Sequence, residues 1–166
     1  MITEYTLKDS ASILTVINDA AVKYKGVIPD ECWHEPYMSP TELREELEAG
    51  VRMFGYAENR VLLGVMGTQE VEDVTLIRHA YTLSGYQGKG IGTSLLRYLF
   101  EINKSVRLLV GTWQDATWAI NFYLKHGFVL HNRSPWDYWV PFYIKKFCIR
   151  NIFVDLAIIN AFCNSN

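Results

Sequence analysis

The run Ser84-Gly85-Tyr86-Gln87-Gly88-Lys89-Gly90-Ile91-Gly92-Thr93 concentrates glycine in a turn that leads into an amphipathic segment. Glycines leave backbone amides uncovered by Cβ atoms, and at a helix start such amides form a concave donor array that suits a pyrophosphate. Two other phosphate-binding turns fail on register. A nucleotide P-loop needs Gly-Lys followed by Ser or Thr, and Lys89 is followed by Gly90. A Rossmann dinucleotide turn needs Gly-x-Gly-x-x-Gly soon after a first strand and an acidic residue about twenty positions on. Here Gly88, Gly90 and Gly92 come late, behind an antiparallel region.

The spacing that fits is Gln or Arg, two residues, Gly, one residue, Gly or Ala, filled here as Gln87-Gly88-Lys89-Gly90-Ile91-Gly92. Further downstream, Ala119-Ile120-Asn121-Phe122-Tyr123-Leu124-Lys125-His126-Gly127-Phe128 reads as an alanine-containing helix ending in Phe-Tyr, three residues, Gly-Phe. In both motifs, their order and their separation, the chain resembles the GNAT (Gcn5-related N-acetyltransferase) superfamily. His79-Ala80-Tyr81-Thr82-Leu83 is similar to the family's fourth strand, and Thr93-Ser94-Leu95-Leu96 to the helix behind its pyrophosphate loop. The match runs from Thr3 to Leu130.

The resemblance implies acetyl-CoA as cosubstrate and a set of contacts. Backbone groups of Tyr81, Thr82 and Leu83 would pair with the pantetheine arm. The amides of Gln87, Gly88, Lys89, Gly90, Ile91 and Gly92 would bind the pyrophosphate, and Tyr123 would sit near the thioester sulfur as the catalytic residue. Many relatives carry asparagine seven residues before the motif tyrosine; that position is Ala116 here, beside Asp115, which leaves Asn121 to contribute from another turn. For the Lys89 side chain, a charge contact to phosphate and a solvated lysine are both consistent, and it takes no assigned role.

Chemistry gives each contact a reason, because aminolysis of a thioester develops charge on the carbonyl oxygen and then on a departing thiolate. A backbone donor near Leu83 would meet the first, and the Tyr123 hydroxyl would protonate the second. Outside the motif, the same tyrosine reads as a buried ring closing a helix against a sheet. His79 has a side chain of a type able to titrate near neutrality and is a candidate general base alongside Glu35, Glu70 and Glu72, with water involved, although a lone strand histidine also reads as a structural hydrogen-bonder.

The elements that must position these groups follow from periodicity. Thr6 precedes Asp9 by three residues, and Ile13, Val16, Ile17, Ala20, Ala21 and Tyr24 then recur at helical spacing, predicting a first helix that ends near Gly26. Val27 to Met38 is an aromatic-rich loop. It either lines a pocket or is pinned by its buried rings. Ser39-Pro40-Thr41-Glu42 combines an N-cap serine, proline at the first helical position and glutamate three residues after the cap, with Gly50 closing a short second helix.

Strands are predicted at Val51 to Ala57, Val61 to Gln69 and Val74 to Leu83, with turns at Glu58-Asn59-Arg60 and Glu70 to Asp73. A helix from Gly90 to Ile102, a strand from Val106 to Thr112, a helix from Asp115 to His126 and a closing strand follow. The expected fold class is α/β (α+β): a GNAT-like mixed, mostly antiparallel central sheet with flanking helices. Residues 1–132 form the core, and 133–166 an atypical C-terminal segment of the same domain.

In that segment a strand is expected from Trp139 to Ile144, then a helix through Ile152-Phe153-Val154-Asp155-Leu156-Ala157-Ile158-Ile159. A helix apolar all round must be buried, so it is expected either across a homodimer interface or over the sheet edge left by an altered final strand.

Composition narrows the partners. At 166 residues and 49% hydrophobic content the chain suits one well-filled core. A net charge of -2, from 16 basic and 18 acidic residues, gives no basic excess for nucleic acid or anionic membranes. Cys32, Cys148 and Cys163 fit neither a disulfide framework nor a zinc site, so no metal and a reducing, cytoplasmic setting are expected. The N-terminus lacks a secretory signal pattern, and the late apolar stretch is broken by Lys145, Lys146, Arg150 and Asp155. The expected function is transfer of acetyl from acetyl-CoA to a small-molecule or peptide amine. A non-catalytic acyl-CoA-binding module and, less well matched, a nucleotide-binding protein are the competing classes.

Overall fold

The computed structural model of the chain describes residues 1–105, 107–130 and 153–159. It resolves into two compact units. The first joins Met1–Lys23, Glu35–Glu70 and Ile77–Lys104; the second joins Tyr24–His34, Val71–Leu76 and the described residues from Ser105 on.

In the first unit the strand order is β1 (Ile2–Tyr5), β2 (Arg52–Glu58), β3 (Val61–Val71) and β4 (Val74–Thr82), β4 beginning in the second unit and ending in the first. β1 pairs antiparallel with β2, and β2 with β3. The turn between β2 and β3 places Asn59 and Arg60 at φ 50° and 66°, the left-handed pair that a tight hairpin needs to match strand twist. The Thr6 and Asp9 side chains form a reciprocal capping box that leads through a 3-10 turn into α1 (Ser10–Ala21). A second box, Ser39 with Glu42, opens α2 (Pro40–Glu48), with Pro40 in its first turn.

Ile13, Val16 and Ile17 of α1 pack with Leu43 of α2 and with Val51, Met53, Leu62 and Val65 on one face of the sheet. Each such side chain, fully buried, is worth roughly 1.5–3 kcal/mol. α3 (Ile91–Ile102) buries Ile91, Leu95, Leu96 and Leu99, and Tyr98 meets Phe54 of β2 with ring centroids 5.4 Å apart.

In the second unit the order is β4, β5 (Arg107–Trp113), β7 (Phe153–Ile159) and β6 (Val129–Leu130), with α4 (Thr117–Lys125) between β5 and β6 in sequence. Inside it Tyr123 packs edge-on against Phe122 and Phe128, at 5.1 and 5.2 Å. The architecture is the expected one, a mostly antiparallel sheet flanked by helices. β1 went unforeseen because four residues are too few to show a period.

The helix expected at Ile152 to Ile159 is not formed. Phe153–Ile159 is a strand, antiparallel to β5 from Arg107↔Ile159 to Trp113↔Phe153 and to β6 at Val129↔Ala157 and Leu130↔Leu156. A short, nearly continuous apolar run suits a buried strand as well as a buried helix, and only long-range pairing decides between them. The segment thus takes neither place expected for it as a helix: it is a strand within the sheet, between β5 and β6, and the helical argument for a subunit interface falls. The strand expected at Trp139 to Ile144 lies outside the described residues. Among the described residues no helix is long and apolar enough to cross a membrane.

Candidate active site

The glycine turn leaves β4 through a 3-10 turn at Ser84–Tyr86. Its entrance is tied from three directions. Leu83 N donates to Leu63 O of β3 (2.9 Å), Ser84 N to Asp19 Oδ2 of α1 (2.6 Å), and Gln87 Nε2 to Thr82 O (3.2 Å). Gly88 and Gly90 then take φ 75° and 83°, left-handed values that a Cβ would oppose. Gly90 is the N-cap of α3, and Ser94 N to Gly90 O (2.9 Å) is the first helical bond.

No side chain caps this helix, and among the described residues the amides of Gln87 to Gly92 have no protein acceptor. A Cβ built at Gly85, Gly88 or Gly90 meets nothing within 4 Å, so there is open space beside these glycines. Unpaired donors and the positive end of a 12-residue helix are an arrangement that suits an anion. Lys89 Nζ lies 4.5 Å from the Tyr86 ring centroid, a cation–π contact within the loop. Gly64 of β3 is needed for another reason: a Cβ there would come within 2.7 Å of Ile91 Cγ2 and 3.2 Å of Tyr81 O.

Tyr81, Thr82 and Leu83 are half-buried at the end of β4. The oxyanion donor expected near Leu83 is corrected here: the Leu83 N–H is held by Leu63 O, and the next amide, Ser84, by Asp19. Strand alternation leaves Thr82 as the residue whose backbone polar groups point away from β3.

Tyr123 belongs to the second unit. It is 4% exposed, and among the described residues its hydroxyl has no hydrogen-bond partner. Burial, with a smaller contribution from Tyr24, pushes its pKa well above the ordinary tyrosine value. Asn121 is exposed; two positions along a helix is a rotation of about 200°, so it lies on the far side of α4 from Tyr123. Ala116, where an asparagine was sought, is fully buried at the N-cap of α4.

His79 stands in β4 at φ 49°, a left-handed conformation inside a strand. Its Nε2 is 3.1 Å from Glu46 Oε2 of α2, and the same oxygen accepts from Arg78 Nη2. Arg78 Nη1 donates to Gln69 Oε1, and Gln69 Nε2 to Ala49 O (3.0 Å). Burial lowers the His79 pKa, Arg78 acting in the same direction and the Glu46 hydrogen bond against it.

Of the other base candidates, Glu35 is exposed in the loop before α2, and Glu70 and Glu72 are exposed around the turn that begins β4. Tyr81 to Leu83 end that strand. Glu46 and Asp19 were absent from the sequence candidates; neither sits in a motif, and their partners are distant in sequence. Among the described residues no group of His, Cys, Asp or Glu side chains is arranged to hold a metal ion.

Residues 49–130 match the family model described as acetyltransferase (GNAT) domain. The PaiA N-acetyltransferase of Thermoplasma acidophilum, solved in complex with coenzyme A, superposes with a TM-score of 0.75 at 17% identity over 96% of this chain and 98% of that one. The ribosomal-protein-S18-alanine N-acetyltransferase of Escherichia coli gives 0.72 at 16% identity, covering 100% and 97%. The yncA protein of Salmonella typhimurium, solved with its cofactor acetyl-CoA, gives 0.67 at 16% identity, covering 99% and 96%. No curated protein sequence matches the chain. Over residues 49–130 the chain thus matches a GNAT acetyltransferase domain, and its fold is that of these acetyltransferase structures.

Proposed function

We propose that the chain transfers the acetyl group of acetyl-CoA to a primary amine, by direct attack of the amine on the thioester within a ternary complex. The observation that carries this reading is the unengaged amide array from Gln87 to Gly92 at the start of α3. Coenzyme A and acetyl-CoA in two structural neighbours support the same ligand class.

Bound acetyl-CoA supplies an acyl group already activated as a thioester. The chain binds it, orients it and manages protons. The loop amides hold the pyrophosphate, and the open space over Gly85, Gly88 and Gly90 admits it. Thr82 offers backbone polar groups for the amides of the pantetheine arm. The resemblance gives Tyr123 the sulfur. A buried hydroxyl with a raised pKa stays protonated and is a weaker acid than free tyrosine, so it stabilises the departing thiolate mainly by donating a hydrogen bond. Cys32 is buried in a 3-10 turn, which supports direct attack over an acyl-cysteine intermediate.

A screen of amines, amino-acid derivatives, aminoglycoside-type antibiotics and peptides, read by release of free CoA, tests the reading. Turnover with one class establishes it. Acetyl-CoA binding with no turnover on any class makes the chain a non-catalytic acyl-CoA module instead, and stabilisation by ATP or NAD in place of acetyl-CoA removes the loop assignment.

A further inference from the structure

In a regular strand, neighbouring side chains point to opposite faces. Arg78 and His79 break that rule, because both reach one oxygen of Glu46. The break falls at His79, whose φ of 49° is left-handed. Beyond it alternation resumes: Tyr81 packs with the α1 and α2 cluster, 6.3 Å from the Tyr37 ring, while the Thr82 hydroxyl lies beside Gly64 and Ile91. A bulge of this kind re-aims one side chain, and strained backbone in a non-glycine residue persists only where its surroundings hold it. The re-aimed residue is the histidine.

The surroundings also settle its chemistry. A carboxylate only accepts hydrogen bonds, so a neutral imidazole beside Glu46 must carry its proton on Nε2. Nδ1 then bears a lone pair, and among the described residues nothing donates to it. Its side chain is 13% exposed, enough for approach by a small group. Glu46 does not draw the ring into its charged form, because the carboxylate is shared with the Arg78 guanidinium. Among the described residues, Glu46 and Arg78 are the charged groups that act on the ring. A half-buried ring nitrogen with no donor among the described residues, neutral at neutral pH and two residues from the strand end Tyr81 to Leu83, calls for a ligand proton.

We infer that His79 Nδ1 is the proton acceptor for the incoming ammonium group, with Glu46 as the positioning residue that fixes the tautomer. This rests on the amine-transfer reading above. Nδ1 takes one proton from the acceptor ammonium, whose freed lone pair forms the C–N bond as the C–S bond breaks. The extra proton left on that nitrogen passes to the departing thiolate, and His79 returns its own proton to solvent. The sum is ammonium and thioester to amide, thiol and one proton.

The test has two arms on the full chain. Long-range nitrogen–proton NMR of the wild-type protein at neutral pH reads the ring directly, with the Nε2–H tautomer and an unprotonated Nδ1 expected. A ring protonated at Nδ1, or charged at neutral pH, overturns the inference whatever the activity. In the second arm His79→Gln is expected to lower kcat/KM for the amine about a hundredfold and to abolish its acid limb, which in the wild type lies below the ordinary histidine pKa near 6.5. Acetyl-CoA affinity, measured by calorimetry, should stay within about twofold and shows the variant to be folded. An active wild type with a His79→Gln variant within about threefold and with the same acid limb overturns this inference alone. A wild type that binds acetyl-CoA and acetylates no amine ends the parent reading, and this one with it.

Discussion

The glycine turn and the cluster around Glu46 do opposite things with the same strand. In the function proposed, the working groups beyond Leu83 are main-chain amides, left open by glycine; before Tyr81 they are side chains, on a main chain that turns left-handed at His79. Substitution should therefore act differently in the two places. At Gly88 and Gly90 of the turn a Cβ is harmful through shape, whereas in the cluster loss of one charge is harmful even when volume is kept.

Gly90→Val gives the largest expected effect. A branched side chain at φ 83° strains the free protein by about 1–2 kcal/mol, and it covers amides meant for phosphate. Losing two charge-assisted hydrogen bonds, each worth roughly 1.5–3 kcal/mol, corresponds to about a hundredfold or more in acetyl-CoA affinity. Isothermal calorimetry on a folded Gly90→Val protein that binds normally would show the site to lie elsewhere.

Arg78→Leu tests the other region. It keeps much of the volume and leaves the Glu46 carboxylate beside His79 without its buried guanidinium. Breaking one side of a buried pair costs about 3–5 kcal/mol, and the partial exposure of Glu46 puts the expectation near the lower end, about 3 kcal/mol in urea unfolding. The freed carboxylate should also raise the His79 pKa, which the same NMR experiment follows. A change under about 0.5 kcal/mol would mean the cluster is ordinary surface chemistry.

Stability should depend on pH through the same histidine. Its folded pKa is below its unfolded one, so between the two the unfolded chain binds more protons and stability falls as pH drops below about 6.5. His79→Gln should remove that part of the acid loss. A melting series between pH 7 and pH 5 with parallel curves for the two proteins contradicts it.

Tyr123→Phe comes next, with kcat down about tenfold to a hundredfold and acetyl-CoA affinity nearly unchanged. Because the hydroxyl titrates above the ordinary value, turnover should show no alkaline limb below about pH 10 from this group. Asp19→Ala should have the smallest effect. It releases Ser84 N, an exposed hydrogen bond worth about 0.5–1.5 kcal/mol, or roughly twofold to tenfold in acetyl-CoA affinity through a looser turn. An unchanged dissociation rate in stopped flow would show that the latch does not reach the loop.

The contrast also explains what was legible in the sequence. A glycine turn writes itself as glycine at fixed spacing, so the loop from Gln87 to Gly92 and the helix start within it could be read directly. The helices were legible from caps and period, Ser39 with Glu42 above all. His79 stood among the candidates, but its partner Glu46 lies 33 residues away in another element, and no local pattern announces such a pair. The same blindness to long-range pairing turned Phe153–Ile159 into a helix. Leu83 failed for a related reason, since its amide is spent on Leu63 across the sheet.

The bulge at His79 has a consequence for how the chain tolerates insertion and deletion. Arg78 and Tyr81 face one side of the sheet and Thr82 the other, so excising His79 leaves a strand whose remaining side chains keep their parity. Excising Ala80 instead leaves His79 next to Tyr81 and discards the only residue separating two side chains of the same face. A one-residue deletion scan through β4 should therefore be lopsided, tolerated structurally at the histidine and damaging at the alanine beside it. The residue singled out for chemistry is the one the strand can best do without.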